Sequence, residues 1–390
     1  MRIGVDATCW RNLRGYGRHA RALLNALVRQ DRENRYTFLV DSFIPTAELP
    51  PGVEIRQVAA SAPAAVAASA NGHRSLRDMW RMSRSLSKAQ VDVLLFPTVY
   101  SYVPVWCRAK KVLLIHDVIA EKYPQLTLPR RLSRLLWRTK VALGRWQADA
   151  LVTVSEHSRQ GLVDHFRINP ERIHVVGEAN DPVFRVFDDP HPTPRLQALG
   201  LPRSGRSIIY VGGFSPHKNL EMLVAVFARL AARPEFADVH LLLVGEYEKE
   251  VFHSQAAILH RQVDQLRLGD RVTFTGFLPD EDLVVLLNRA TVLALPSLLE
   301  GFGLPAIEAA ACGCPVVATT ASPLPGLLGR GGRFVEPTDQ SGWESALAEV
   351  LASDAVRRQM REAGLAATRL LTWDAAAQGL LGILRKVAGG

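Results

Sequence analysis

Short apolar, β-branched runs alternate with segments of helical periodicity along the whole chain. Ile3–Asp6, Tyr36–Val40, Val91–Phe96, Lys111–Ile115, Ala150–Val154 and Ile173–Val176 read as one series of buried strands. Ser207–Val211, Val239–Val244, Arg271–Thr275, Thr291–Leu295 and Pro315–Ala318 read as a second. Between them, His19–Arg29, Leu220–Arg229 and Asp282–Asn288 are amphipathic, as helices lying on a sheet must be. Strands alternating with helices predict parallel sheets built from right-handed βαβ units. The alanine-rich stretch from Ala59 to Ala70 is low in complexity and reads as a loop or a short surface helix.

The chain has 390 residues, too many for one ordinary core, and two α/β domains are expected. The segment 188–194, rich in proline and acid, is the best linker between the two strand series. This predicts a first domain over 1–187, a linker over 188–204 and a second domain starting at 205. At 48% hydrophobic and 22% charged residues, the composition excludes disorder and fibrous repeats. No apolar run reaches the length of a spanning helix, and the start, Met1-Arg2-Ile3-Gly4-Val5-Asp6, reads as a strand rather than a signal peptide. The four cysteines, Cys9, Cys107, Cys312 and Cys314, are too few and scattered for a disulfide framework. Nothing completes a metal site around Cys312 and Cys314, so no metal is expected.

Charge changes the picture. The net charge is +9, yet the window from His73 to Arg145 holds fifteen Lys/Arg against four acids, a local +11. An anionic partner follows: a lipid surface, a nucleic acid or a phosphorylated substrate. Within the window, Arg130, Arg134 and Arg138 lie one turn apart, with Leu132, Leu135, Leu136 and Leu143 on the opposing side. That pattern is an amphipathic helix with a cationic face, suited to an anionic leaflet or simply to solvent.

In open parallel sheets, ligands bind beyond the carboxyl ends of the strands, and two such domains facing each other leave a cleft between their loops. The chemistry-bearing residues fall where this rule puts them. After the strand ending at Leu295 come Glu300, then Gly301-Phe302-Gly303, then Leu304-Pro305 opening a short helix that carries Glu308. Its free N–H groups suit a phosphate, and the two carboxylates suit sugar or ribose hydroxyls or a developing cationic carbon. The plainer alternative is a helix-dipole glutamate beside a solvated one. After Val211 come Gly212, Gly213, His217, Lys218 and Asn219; Lys218 suits phosphate oxygens and Asn219 an N-cap. Gly15-Tyr16-Gly17 reads as a flexible loop able to close over a ligand, and His116-Asp117 ends another strand. Ser155 reads as the cap of a helix running toward Phe166.

Together, Glu300-x7-Glu308 with G-F-G-L-P-x-x-E-A, Y-V-G-G-x-x-x-x-K-N, the early glycine-rich segment, H-D and V-S-E-x-S resemble retaining glycosyltransferases of family 4, which have the GT-B fold. The resemblance runs from Gly15 to Ala318, and the tail around Thr372-Trp373-Asp374 is similar to the family's closing helix, implying that 205–370 is the donor domain and that 371–390 returns to the first domain. It implies a nucleotide-diphosphate sugar as co-substrate, no resident cofactor, no metal, and an acceptor on the first domain. Glu308 would hold ribose hydroxyls and Glu300 the transferred sugar. Lys218 and the helix start at Gly301, Phe302, Gly303 and Leu304 would neutralise the diphosphate. Gly15, Tyr16 and Gly17 would close on the phosphates or acceptor, His116 would meet the sugar, and Gly276, Phe277 and Leu278 would receive the base. Y-V-G-x-x-x-P-x-K-N is most similar to mannosyl-type transferases, which favours a GDP-sugar over a UDP-sugar.

One departure matters: many relatives have an arginine where this chain has Gly213, leaving Lys218 with His217 or a distant arginine to complete the clamp. The expectation is a cytoplasmic hexosyltransferase of polysaccharide or glycoconjugate assembly, with a position at the inner face of a membrane left open. The acceptor is a glycan or a lipid-linked glycan. A nucleotide-sugar hydrolase or epimerase is the rival within the fold. A basic nucleic-acid-binding protein is the rival outside it, disfavoured because no aromatic-rich, zinc or helix-turn-helix pattern appears.

Overall fold

The computed structural model describes residues 1–12, 15–64, 75–128, 130–188, 190–199, 205–246 and 255–389. Thirteen strands form two parallel sheets among them. The first joins β1 (Arg2–Asp6), β2 (Arg35–Asp41), β3 (Glu54–Val58), β4 (Val93–Phe96), β5 (Lys110–Leu114), β6 (Ala150–Thr153) and β7 (Ile173–Val175). Their order is β3-β2-β1-β4-β5-β6-β7. The second joins β8 (Ser207–Val211), β9 (His240–Val244), β10 (Val272–Gly276), β11 (Val292–Leu295), β12 (Val316–Thr319) and β13 (Gly332–Val335), in the order β10-β9-β8-β11-β12-β13. Every pairing is parallel.

The principal helices of the first sheet are α1 (Gly15–Gln30), α2 (Leu76–Ser87), α3 (Arg131–Gln147) and α4 (Glu156–Phe166). Those following β8 are α5 (Leu220–Ala231), α6 (Ala256–Gln265), α7 (Asp280–Arg289), α8 (Leu304–Ala311), α9 (Gln340–Ala352), α10 (Asp354–Thr368) and α11 (Trp373–Gly389). In each sheet the chain winds one way from the first strand and then the other. The reversals fall between β1 and β4 and between β8 and β11, where a crevice opens at the strands' carboxyl ends.

Two strands escape the sequence pattern, β3 (EIRQV) and β13 (GRFV). Both are edge strands, each with one neighbour and half-buried side chains. An edge tolerates charge and needs no apolar run, so periodicity alone passes over it. Of the alanine-rich stretch, residues 65–70 lie outside the described residues.

Contacts divide the chain into two compact units, Met1–Glu178 with Thr372–Gly390, and Ala179–Leu371. The division precedes the proline-rich segment because the residues before it are tied to α7. Asn288 accepts from the Phe187 N–H at 2.8 Å and donates to the Arg185 carbonyl at 2.9 Å. The final helix α11 belongs to the first unit. Its Ala376, Ala377, Leu380 and Leu384 share a buried cluster with Leu23, Leu24 and Leu27 of α1. At its far end Arg385 reaches Glu33 at 2.6 Å.

Helix α3 corrects the expectation of arginines outward and leucines inward. Only Val141 and Gly144 are buried in it. A Cβ at Gly144 would stand 2.8 Å from Leu113 of β5, so the helix meets the sheet through its smallest residue. At 100° per residue the leucines lie about half a turn away from that contact, and they face outward. Leu132, Leu135 and Leu136 are 62%, 61% and 57% exposed, and Trp146 77%.

Candidate active site

In the second unit, the loops after β8 and β11 come together at the reversal point. Lys218 Nζ stands 2.7 Å from Glu300 Oε1, with the side chains 20% and 10% exposed. Ser297 donates to the same Oε1 at 2.5 Å. The Glu300 N–H is anchored on the Ala321 carbonyl at 3.0 Å, and the Leu298 N–H on that of His217 at 2.9 Å. Glu300 is therefore oriented from three sides, with both side-chain bonds on one oxygen.

Glycine is required at two places here. Gly212 has φ 152°, and a Cβ on it would meet the Tyr210 hydroxyl at 2.6 Å, the same hydroxyl that donates to the Gly213 carbonyl at 2.6 Å. Gly303 has φ 90°, and a Cβ on it would lie 2.9 Å from Leu324. It is the residue from which α8 starts, followed by Leu304 and Pro305. Gly301, Phe302 and Glu308 are buried around that start. Glu308 is 3% exposed, and its charge adds to burial in pushing the Cys312 thiol up to about 12. No disulfide joins the four cysteines among the described residues.

His217 does not complete a cationic clamp. Burial, with Lys218 beside it, pushes its pKa down to about 3, so it is neutral near pH 7. Gly213 offers only backbone there. Asn219 also departs from expectation. It precedes α5 in a left-handed conformation with no side-chain capping bond. Its amide instead donates to the carbonyls of Pro296 at 3.1 Å and Pro337 at 2.8 Å, lacing three loops together. At the end of β10, Gly276 has φ 71°, and just past it Phe277 is 52% exposed and Leu278 is buried.

In the first unit, Gly15, Tyr16 and Gly17 are the first turn of α1, not a loop. The physical reason is close approach: a Cβ on Gly17 would lie 2.0 Å from the Asn12 carbonyl oxygen, so only glycine lets the helix begin there. Asn12 also donates to the Tyr16 hydroxyl at 2.6 Å, and Tyr16 stacks on Tyr100 with centroids 4.7 Å apart. Arg14, beside this turn, lies outside the described residues.

His116 follows β5, and its carbonyl accepts from Thr153 at 3.1 Å. Its ring meets that of His19 edge-on, centroids 4.8 Å apart. Burial first, and then the charge on His19, hold His116 well below the usual histidine range, so it is neutral. Asp117 accepts from the Ile119 N–H at 2.9 Å, the hydrogen-bonded turn that an H-D pair most often makes. Ser155 caps α4 by accepting from the Ser158 N–H at 3.0 Å.

Sequence reasoning missed His19, Glu178 and Ser297. His19 Nδ1 lies 2.7 Å from Glu178 Oε1, both buried, a close polar contact off the line of an ideal hydrogen bond. His19, His116 and Glu178 are the grouping of metal-ligating type among the described residues, their ligand atoms all within 4.8 Å. Two ligands of one zinc ion sit roughly 3.4 Å apart, given bonds of about 2.1 Å and tetrahedral geometry, wider than the 2.7 Å between His19 Nδ1 and Glu178 Oε1. His19 Nε2 and both His116 ring nitrogens are buried without hydrogen-bond partners among the described residues. The signal that could have found Glu178 is its place just past β7, at the carboxyl end of the sheet.

Two Rossmann-like parallel α/β units with their chemistry at the reversal points define a GT-B type of fold. Residues 13–182 match the Glycosyltransferase Family 4 domain and residues 195–366 the Glycosyl transferases group 1 domain. By that pairing the chain belongs to the group 1 glycosyltransferases of GT-B architecture. It is 31% identical over 239 residues to a D-inositol 3-phosphate glycosyltransferase of Corynebacterium diphtheriae, covering 60% of this chain and 55% of that protein. It is 25% identical over 407 residues to the serotype-specific mannosyltransferase WbdA of Escherichia coli, covering 96% of this chain and 46% of WbdA. The chain thus spans about half the length of these curated relatives. Among solved structures, sucrose-phosphate synthase from Thermosynechococcus elongatus superposes with TM-score 0.74 at 21% identity, over 99% of both chains. Anabaena HepE in complex with UDP-glucose gives 0.73 at 18%, also over 99% of both.

Proposed function

We propose that the protein transfers a hexose, with retention at the anomeric carbon, from a nucleotide-diphosphate sugar to a glycan or lipid-linked acceptor at an anionic membrane surface. The observation that carries the reading is the Lys218–Glu300–Ser297 constellation, set three residues before the glycine that opens α8. A cation and a helix start suit a diphosphate, and an oriented carboxylate beside them suits sugar hydroxyls. In the proposed reaction the bond from the anomeric carbon to the diphosphate oxygen breaks. The acceptor hydroxyl forms the new bond on the same face, and its proton leaves on the departing phosphate. Lys218 and the N–H groups after Gly303 stabilise the charge that grows there, where preplaced donors help most.

Glu308 holds the ribose, and Gly276, Phe277 and Leu278 receive the base. The buried, unpartnered nitrogens of His116 supply the sugar with hydrogen-bond partners that the fold itself leaves open. A mannosyl donor carrying guanosine diphosphate is the specific proposal. Supporting it are the Y-V-G-x-x-x-P-x-K-N pattern and the likeness to WbdA along 96% of the chain. The complex of HepE with UDP-glucose makes the uridine donor the second reading.

A thermal-shift panel with guanosine, uridine, adenosine and thymidine diphosphates tests this. A ligand at a hundred times its dissociation constant stabilises by about 2.7 kcal/mol, a shift of several degrees. Guanosine diphosphate shifting alone is the expected result, and a uridine response alone transfers the assignment to a UDP-sugar. Silence with the diphosphates and with the intact nucleotide sugars overturns the reading.

A further inference from the structure

We propose that α3 is a membrane-docking element, its apolar stripe entering the boundary between headgroups and acyl chains of an anionic leaflet. Leu135, Leu136, Leu143 and Trp146 lie three, four, eleven and fourteen residues beyond Leu132, so the five share one face. All five are exposed, from 38% at Leu143 to 77% at Trp146. That face is turned about half a helical circumference from the Val141–Gly144 contact with the sheet. A soluble helix normally shows the reverse arrangement, with leucines on the protein and polar residues outside.

Charge selects the occupant. Arg131 and Arg138 lie about 90–110° round the helix from the centre of the stripe and flank it, Arg130 stands exposed just before the helix, and the half-buried Arg134 lies nearly opposite the stripe. None of the four is ion-paired among the described residues, whereas Arg206 and Arg333 in the second unit are. A protein partner of matching apolarity would leave these guanidinium groups to find carboxylates one by one. A leaflet bearing anionic phosphates meets Arg130, Arg131 and Arg138 at once.

The surface extends past the helix end. Gln147 holds the Val105 backbone through two bonds, at 3.0 Å and 2.9 Å, and the next residue, Trp106, is 74% exposed. The Trp106 N–H is in turn held by Ser87 at the end of α2, a helix whose Trp80 is also exposed, with Arg84 stacked over its ring. Tryptophan is among the side chains enriched where a membrane meets water.

The proposal deepens the acceptor side of the reading above and rests on it only for its purpose: a transferase held at a leaflet meets a lipid-linked acceptor. The test is flotation of the full chain with vesicles of phosphatidylcholine alone and of phosphatidylcholine mixed with phosphatidylglycerol. Binding to the mixed vesicles, weakening with salt, is expected. Each arginine near such a surface contributes about fivefold in affinity, so R130Q/R131Q/R138Q should bind on the order of a hundredfold more weakly. L135E/L136E should lose binding altogether.

Both variants change exposed side chains, so their unfolding temperatures and nucleotide-induced shifts should match the parent's. Those shifts report the donor site independently, so failure of docking and failure of the transferase reading are separable. No vesicle binding, or equal binding to both compositions, overturns the proposal. So does a concentration-dependent dimer that L135E/L136E returns to monomer, which would assign the stripe to a second copy of the chain.

Discussion

Replacing Lys218 with alanine leaves Glu300 as a carboxylate without its cation, in a site where the pair is only 20% and 10% exposed. A fully exposed ion pair contributes about 0–1 kcal/mol, whereas stripping one partner from a fully buried pair costs about 3–5 kcal/mol. The 2.7 Å pair stands between these limits, and Ser297 continues to donate to Oε1. A loss of about 2 kcal/mol is therefore expected for Lys218→Ala, a fall of about 4–8 °C in Tm for a unit of this size. Glu300→Gln removes the charge and leaves Lys218 a neutral acceptor and a path to water, for a loss of about 1 kcal/mol or less.

The double variant should consequently be more stable than Lys218→Ala alone by about 1 kcal/mol, a coupling read from a double-mutant cycle of thermal unfolding without nucleotide. Donor turnover should behave differently. Lys218→Ala should lose about a hundredfold or more in kcat, the usual effect of deleting one preplaced charge-stabilising donor, and the double variant should not recover it. If the double variant is no more stable than Lys218→Ala, the pair is not energetically coupled and the electrostatic account of Glu300 fails. If it turns over donor at the parent's rate, Lys218 is not the cation on the leaving group.

Gly17→Ala and Gly15→Ala form a matched pair of probes. Alanine at 17 would place its Cβ 2.0 Å from a backbone carbonyl, while at 15 nothing lies within 4 Å. Gly17→Ala should destabilise by about 1–3 kcal/mol and Gly15→Ala should be neutral or slightly stabilising; equal melting points would mean that the first turn of α1 is not held against Asn12. Glu121 gives a pH signature. Burial, with Asp117 adding to it and the Trp137 N–H at 2.7 Å opposing it, pushes its pKa up to about 7. A carboxyl raised in the folded state favours folding fully below the ordinary glutamate range, and that favour is lost as pH rises through about 7. Denaturant unfolding should show up to about 3 kcal/mol of this loss between pH 5 and 8, absent in Glu121→Gln; identical pH slopes would refute it.

Alternation of apolar and amphipathic segments was enough to determine two parallel α/β units, because strands covered on both faces must be apolar almost throughout. It also put Glu300, Lys218 and His116 past strand ends, which are readable and are where ligands of such sheets bind. The edge strands β3 and β13 were not readable, because half-buried strands with one neighbour need no apolar run.

Only the tertiary structure decided which residues meet across gaps in sequence. It paired Lys218 with Glu300 over 82 positions, brought Glu178 to His19, and made His217 neutral by burying it. It turned Gly15–Gly17 from an apparent loop into a helical turn, because what fixes Gly17 is a carbonyl five residues earlier that no local pattern reveals. It also chose which side of α3 faces water. The amphipathic period defines two faces, but the close approach of Gly144 to Leu113 chooses between them, and it leaves the leucines outside. Periodicity states what a helix can bury; packing against a particular neighbour states what it does bury.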